Sequence, residues 1–204
     1  MLNDKINNMN EKKIYELHKK YAKGEYENEL LDLIWTHSLI VKNIALQIVE
    51  KLEREYAFKI DKKIIEIGAL IHDIGTYQYF DDDFNIGKNY GLHGRTGYDI
   101  LIKEGVSKKR ARFALTHIGV GYENDIPISL EEEIVAYADN FHSKKPVRFN
   151  CFEGEKRHLE IFGIDKGIIY ERFKDKFGIP NLKELEKKYK KWQDEMNGWI
   201  AGLG

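Results

Sequence analysis

At 204 residues the chain is long enough to bury a sizeable core, and 42% hydrophobic with 33% charged residues and only three prolines places it among soluble globular proteins rich in helix. Lys and Arg total 33 against 34 Asp and Glu, so there is no global basic field and no nucleic-acid polymer is expected as the main ligand. A single cysteine, Cys151, rules out an intramolecular disulfide and any thiolate cluster for zinc or iron–sulfur chemistry.

Residues 1 to 10 are Asn-rich and carry no apolar core of signal-peptide type. No later run is long and apolar enough to span a membrane, so a cytoplasmic protein without membrane insertion is expected. Ile14, Leu17, His18 and Tyr21 recur at helical spacing before Gly24 and predict a short amphipathic helix, on which His18, among lysines, reads as solvated or half-packed. From about Glu29 to Glu55, a long helix places Leu30, Ile34, His37, Val41, Ile44 and Ile48 on one stripe. His37 therefore faces inward, where by itself it reads as a core histidine before it reads as a ligand. Asp61 is a good N-cap for a helix running to about Asp73, in which Gly68 admits a close neighbour and Gly75 fits the stop. That helix ends on His72-Asp73, two adjacent ionisable residues in the apolar run from Ile67 to Gly75. Burying an unpaired charge is costly, and a metal ion is one partner that satisfies both.

Thr76 to Tyr90 is a polar, aromatic loop placed to act as a lid; its run of Asp81, Asp82 and Asp83 reads first as a solvated turn and second as an extra cation site. His93 starts the next helix, with Gly94 and Gly97 letting its backbone come close to the core. Ser107 caps a basic helix, Lys108 to His117, with Phe113 and Ala114 inward and His117 in the last turn. Ser129 with Glu132 forms a capping-box pattern for a helix from Leu130 to about His142, whose apolar face, Ile134, Val135 and Ala138, leads to Asp139. His142, one turn past Asp139, reads first as packed or solvated and second as a substrate contact, and Lys144, Lys145 and Arg148 cluster beyond the helix terminus. Two further helices are predicted near Asp165 to Phe177 and Asn181 to Trp199, the second with Leu182, Leu185, Tyr189, Trp192 and Met196 on a stripe.

The inward-facing metal-capable residues are then His37, His72, Asp73, His93, His117 and Asp139. Imidazoles with a few carboxylates suit iron, manganese, zinc or nickel. Six ligands exceed what one tetrahedral zinc needs, whereas two ions about 3.5–4 Å apart sharing a carboxylate use them all.

In the order His37, His72-Asp73, Asp139, over roughly residues 30 to 145, the chain resembles the HD-domain superfamily of helical metal-dependent phosphohydrolases. The added His93 and His117 resemble its binuclear branch. His93-Gly-Arg-Thr-Gly, Thr116-His117 and Ile134-Val-Ala-Tyr-Ala-Asp139 look most similar to symmetrical dinucleoside tetraphosphate hydrolases and to uncharacterised small HD proteins. Cyclic-dinucleotide phosphodiesterases of the superfamily carry a His-His pair and a Gly-Tyr-Pro signature where this chain has Thr116-His117 and Gly121-Tyr122-Glu123, which disfavours that class. The resemblance implies an all-α HD bundle over residues 27–148; the periodicities add an N-terminal helix in 1–26 and a C-terminal helical extension, 149–204, packed on the same core.

The resemblance also implies that Asp73 bridges two divalent transition-metal ions, iron or manganese first and nickel or zinc also suited, one held by His37, His72 and Asp139 and the other by His93 and His117. The expected activity is cleavage of a phosphoester or phosphoanhydride in a small nucleotide-like substrate by a metal-bridged hydroxide, with His72 and Asp73 at the reacting centre. Arg95, Lys144, Lys145 and Arg148 are the candidate phosphate clamps, each equally readable as surface charge. Two other readings stand beside this one: a di-iron oxygenase on the same ligand set, and a nucleotide-binding regulatory module. The sequence does not set the oligomeric state.

Overall fold

The computed structural model describes residues 9–56, 59–81, 84–118, 125–149 and 173–203. In chain order these form α1 (Glu11–Tyr21), α2 (Glu27–Tyr56), α3 (Lys62–Ile71), α4 (His93–Lys103), α5 (Lys108–Thr116), α6 (Leu130–Asp139), a hairpin of β1 (His142–Lys144) and β2 (Val147–Phe149), and α7 (Lys183–Gly202). Short 3-10 turns at Thr76–Gln78 and Tyr90–Leu92 lie between α3 and α4. The class is all-α, as the periodicities predict, with the small hairpin as the one addition among the described residues.

The bundle is built around α2, whose 30 residues contain no glycine or proline to interrupt them. The predicted stripe from Leu30 to Ile48 is buried throughout, and α1, α3, α6 and β1 pack around it. Two apolar clusters meet along this helix. One joins Leu30, Leu31, Leu33 and Ile34 to α1, the end of α3 and α4; the other joins Ile40 to Leu52 of α2 to α6, Phe173, Phe177 and the start of α7. His37 falls on α2 between the two. The polar layer thus lies where two cores join, shielded from water on both sides.

Local signals account for most helix ends. The side chains of Asn10, Asp61 and Ser129 accept from the backbone N–H of Lys13 (3.0 Å), Ile64 (3.2 Å) and Glu132 (3.2 Å), satisfying donors that the first turn leaves open. Ser107 makes no such bond. The expected capping box is half made, because Glu132 takes the N–H of Ile128 at 2.9 Å and Arg112 Nε at 2.9 Å instead of reaching back to Ser129. A Cβ at Gly68 would stand 2.3 Å from the Phe113 ring, so α5 closes on the α3 backbone as the glycine predicts. Burying that ring is worth roughly 1.5–3 kcal/mol.

Two expectations are corrected. His18 is fully buried, not solvated: it lies one turn from Ile14 on the stripe, and its ring meets the Tyr77 hydroxyl at 2.8 Å and the Leu70 carbonyl at 2.7 Å. The helix through Asp139 does not reach His142. Residues 142–149 instead pair antiparallel, His142 with Phe149, Ser143 with Arg148 and Lys144 with Val147, since Pro146 cannot continue a helix and Val147 and Phe149 favour a strand. The basic cluster therefore sits on a hairpin. The described part of the loop from Thr76 to Tyr90 makes contacts with the hairpin and the C-terminal helix: Lys145 Nζ donates to Phe84 O at 2.8 Å, and the Phe84 ring packs against Phe80 and Trp199 at 4.8 Å each.

The C-terminal helix packs through the predicted stripe and reaches the hairpin. Asn197 Nδ2 donates to Val147 O at 2.7 Å while its Oδ1 accepts from Val147 N at 2.9 Å, so one side chain replaces a strand partner for β2. Trp192 Nε1 donates to Asp32 Oδ2 at 2.7 Å, tying α7 to α2. Of the helix expected near Asp165, residues 173–177 are helical and the remainder lies outside the described residues, as do Asp82, Asp83, Tyr122, Cys151 and His158.

Candidate metal centre

Three histidines occupy helix ends and share one local device. His72 caps the C-terminus of α3, His93 opens α4 and His117 follows α5. Each turns its Nδ1 onto the carbonyl three residues back: His72 to Ala69 O at 2.6 Å, His93 to Tyr90 O at 2.5 Å and His117 to Ala114 O at 2.7 Å. The last turns of α3 and α5 leave the Ala69 and Ala114 carbonyls open to such a donor, while Tyr90 O also accepts the backbone N–H of His93. Because a carbonyl oxygen only accepts, each Nδ1 carries the proton, and in the neutral ring each Nε2 presents a lone pair to the interior. His37 lies mid-helix, where backbone carbonyls are already engaged, and its Nδ1 meets His142 Nδ1 at 2.9 Å.

These Nε2 atoms converge on the two oxygens of Asp73. His37 Nε2 is 3.2 Å and His72 Nε2 3.5 Å from Oδ2, and both also face Asp139 Oδ1, at 2.9 and 3.4 Å. His93 and His117 face the other oxygen, Oδ1, at 3.3 and 3.4 Å. Thr76 Oγ1 donates to that same oxygen at 2.9 Å and fixes the plane of the carboxylate. The result is two groups, His37, His72, Asp73, Asp139 and Asp73, His93, His117, in each of which the ligand atoms lie within 4.8 Å of one another. Imidazole nitrogens with preset lone pairs and carboxylate oxygens are a donor set that fits divalent transition metals.

Close backbone approach makes this convergence possible. A Cβ at Gly75 would stand 2.1 Å from His93 O, and one at Gly94 2.7 Å from Ala114 O. The start of α4 thus rests directly on the end of α3 and against the last turn of α5, as the small residues predict.

Both carboxylates stay ionised. Burial alone would raise Asp73, but the Lys144 ammonium and His72 hold it well below the usual carboxylate range; Asp139, opposed in the same way by burial, is held low by the facing His37 and His72 and by Lys144. Burial opposes a charge on His72, yet Asp73 and Asp139 outweigh it and raise its pKa. Burial lowers His117 to about 4 and pushes His142 well below the ordinary histidine range. The Tyr90 ring stacks on His93, 4.2 Å between centroids, and burial raises its hydroxyl to about 12.

The four basic residues expected at a substrate scatter. Lys144 enters the cluster, where its ammonium bonds Asp73 Oδ2 and lies 3.4 Å from His37 Nε2. Lys145 is spent on Phe84 O and Asn85 Oδ1, and Arg95, half exposed, forms a pair with Asp125 at 2.8 and 3.1 Å. Arg148 pairs with Ser143 in the hairpin register, so it projects from the face opposite Lys144. Sequence reasoning gave no role to Thr76 or Tyr90, and to His142 packing, solvent or a substrate contact but no place beside His37. A hydroxyl three residues after Asp73 was the one signal available.

The sequence profile described as HD domain matches residues 34–144, more than half of the chain and the whole of this cluster. The chain belongs to the HD domain family. An uncharacterized protein of Methanocaldococcus jannaschii is 31% identical over 117 residues, 51% of this chain and 63% of that protein. The dihydroneopterin 2',3'-cyclic phosphate phosphodiesterase of the same organism is 28% identical over 152 residues, 72% of this HD chain and 58% of that enzyme. This chain therefore spans less than two thirds of the length of either relative. Among solved structures, the HD domain of the L. monocytogenes phosphodiesterase PgpH in complex with cyclic-di-AMP superposes with a TM-score of 0.51 and 19% identity, covering 94% of this chain and 96% of that one. At that identity the likeness concerns the fold.

Proposed function

We propose that this HD protein is a binuclear metal-dependent phosphohydrolase acting on a phosphoester or phosphoanhydride of a small nucleotide-like substrate. The observation that carries the reading is the division of Asp73, whose Oδ2 faces His37 and His72 while Oδ1 faces His93 and His117. His37, His72, Asp73 and Asp139 would hold one divalent ion, and Asp73, His93 and His117 a second. Such ions supply a nucleophile at neutral pH and Lewis-acid stabilisation of charge developing on phosphate oxygens.

The chain's own groups do the rest. The carbonyls of Ala69, Tyr90 and Ala114 keep three ligand imidazoles in one tautomer, and Thr76 holds the Asp73 plane. The two flanking apolar clusters exclude bulk water and so strengthen every charge interaction inside. Lys144, the single basic side chain of the four that reaches the cluster, offers its ammonium to a phosphate oxygen. The cyclic phosphate named for the relative supports a phosphodiester of nucleotide size.

The test is elemental analysis of the purified chain, followed by product release from linear and cyclic nucleotides with Mn2+ or Fe2+, beside an Asp73→Ala control. Two ions per chain and Asp73-dependent release are expected. Two irons with oxygen consumption and no hydrolysis would replace this reading with the oxygenase.

A further inference from the structure

We propose that His142 is a positioning residue that fixes His37 as a metal ligand by accepting the proton-bearing Nδ1 of its ring. The inference rests on the metal-centre reading above and assigns a role to a residue outside the six ligands. For His37 Nε2 to offer a lone pair toward Asp73 and Asp139, the ring proton has to sit on Nδ1. The atom opposite, His142 Nδ1 at 2.9 Å, must then be bare, which places the His142 proton on Nε2.

Among the described residues nothing else near His37 does this job. The three helix-end histidines use a carbonyl three residues back, whereas the carbonyl three residues before His37, Ile34 O, already accepts from Ser38 Oγ at 2.9 Å. His142 itself is set rigidly. It pairs with Phe149 across the hairpin, its ring lies 5.1 Å from that of Phe149 and 6.1 Å from that of Trp192, and β2 is clamped by Asn197. Its Nε2 is the one buried side-chain polar atom without a hydrogen-bond partner among the described residues. A ring kept in an apolar slot with one nitrogen unsatisfied is explained if its other nitrogen is indispensable. In this arrangement α7, far along the chain from the ligands, helps to set the affinity of one ion, through β2, His142 and His37.

The experiment compares the full-length protein with His142→Leu and His142→Asn, titrating Zn2+ against a competing chelator and recording imidazole 15N spectra of the zinc-loaded forms. Asn carries its amide oxygen near the position of Nδ1 and needs no partner at Nε2. Leucine is expected to weaken one of the two zinc sites about 10–100-fold and leave the other unchanged, with asparagine close to wild type. The spectra are expected to show wild-type His37 protonated at Nδ1 and zinc-bound through Nε2. Unchanged affinity in His142→Leu, or a His37 lacking the Nδ1 proton, overturns the inference while leaving the metal centre standing. A wild-type chain that takes up no zinc overturns both. If the leucine variant does not fold, the wild-type spectrum and the asparagine variant decide.

Discussion

His93 and His117 bring their Nε2 atoms within 2.9 Å of one another while each commits its Nδ1 proton to a backbone carbonyl. Two lone pairs at that distance repel unless a cation stands against both, and Asp73 Oδ1 lies beside them. Removing one of the two should therefore empty one site and spare the other. His117→Ala is expected to retain one ion per chain by elemental analysis, and to lose more activity than the roughly 10–100-fold that an outer partner commands. Two ions in that variant would remove His117 from the ligand set.

Gly75→Ala tests the contact that places His93. The new Cβ would meet His93 O at 2.1 Å and Gly97 N at 2.5 Å, both backbone atoms that no rotamer change can clear. The start of α4 has to move, at a cost of roughly 1–3 kcal/mol, and His93 moves with it. A lowered Tm together with a lost ion is expected. The comparison is Gly198→Ala on the exposed side of α7, where nothing lies within 4 Å, and there alanine should stabilise the helix by roughly 0.5–1 kcal/mol.

Lys144→Met should separate chemistry from metal binding. The ammonium competes with a cation for Asp73 Oδ2, so its loss is expected to leave ion content at two or tighten it. Loss of a buried donor to developing charge is expected to lower kcat by roughly 10²–10³. Unchanged kcat would return Lys144 to a purely structural role.

His18 predicts a stability profile. Burial lowers it from 6.5 to about 4 in the folded protein, so between those values the unfolded chain binds the additional proton. Its contribution is therefore complete above about pH 6.5 and is lost as pH falls toward 4, by roughly 3 kcal/mol in all. Thermal melts of wild type and His18→Gln from pH 7.5 to 4.5 isolate it, because other acid-sensitive groups act in both. Parallel pH slopes would show that His18 contributes no linkage.

Much of this arrangement is legible along the chain. Positions of the candidate ligands follow from where a polar residue breaks an apolar stripe, as at His37, or ends a helix, as at His72, Asp73, His117 and Asp139. The glycine contacts at Gly68 and Gly94 follow from residue size, whereas Gly75, which reads only as a helix stop, shows its contact with His93 in the structure alone. The basic residues are less readable, because Lys144 and Arg148 differ by the side of a hairpin on which they fall, and a segment of this length next to a helix shows no period of its own. His18 misled for a similar reason: its lysine neighbours mark the exposed face beside it, not its own.

By itself the sequence determined most of the helices among the described residues, the six metal-capable side chains and the family that their order resembles, since helical periodicity and end signals are set by residues a few positions apart. The tertiary structure alone decided which nitrogen each histidine presents, how Asp73 divides its oxygens, and that Lys144 and His142 enter the centre. Those relations join residues as distant as His37 and His142, 105 positions apart, and such contacts exist only once two apolar cores have closed around a polar layer.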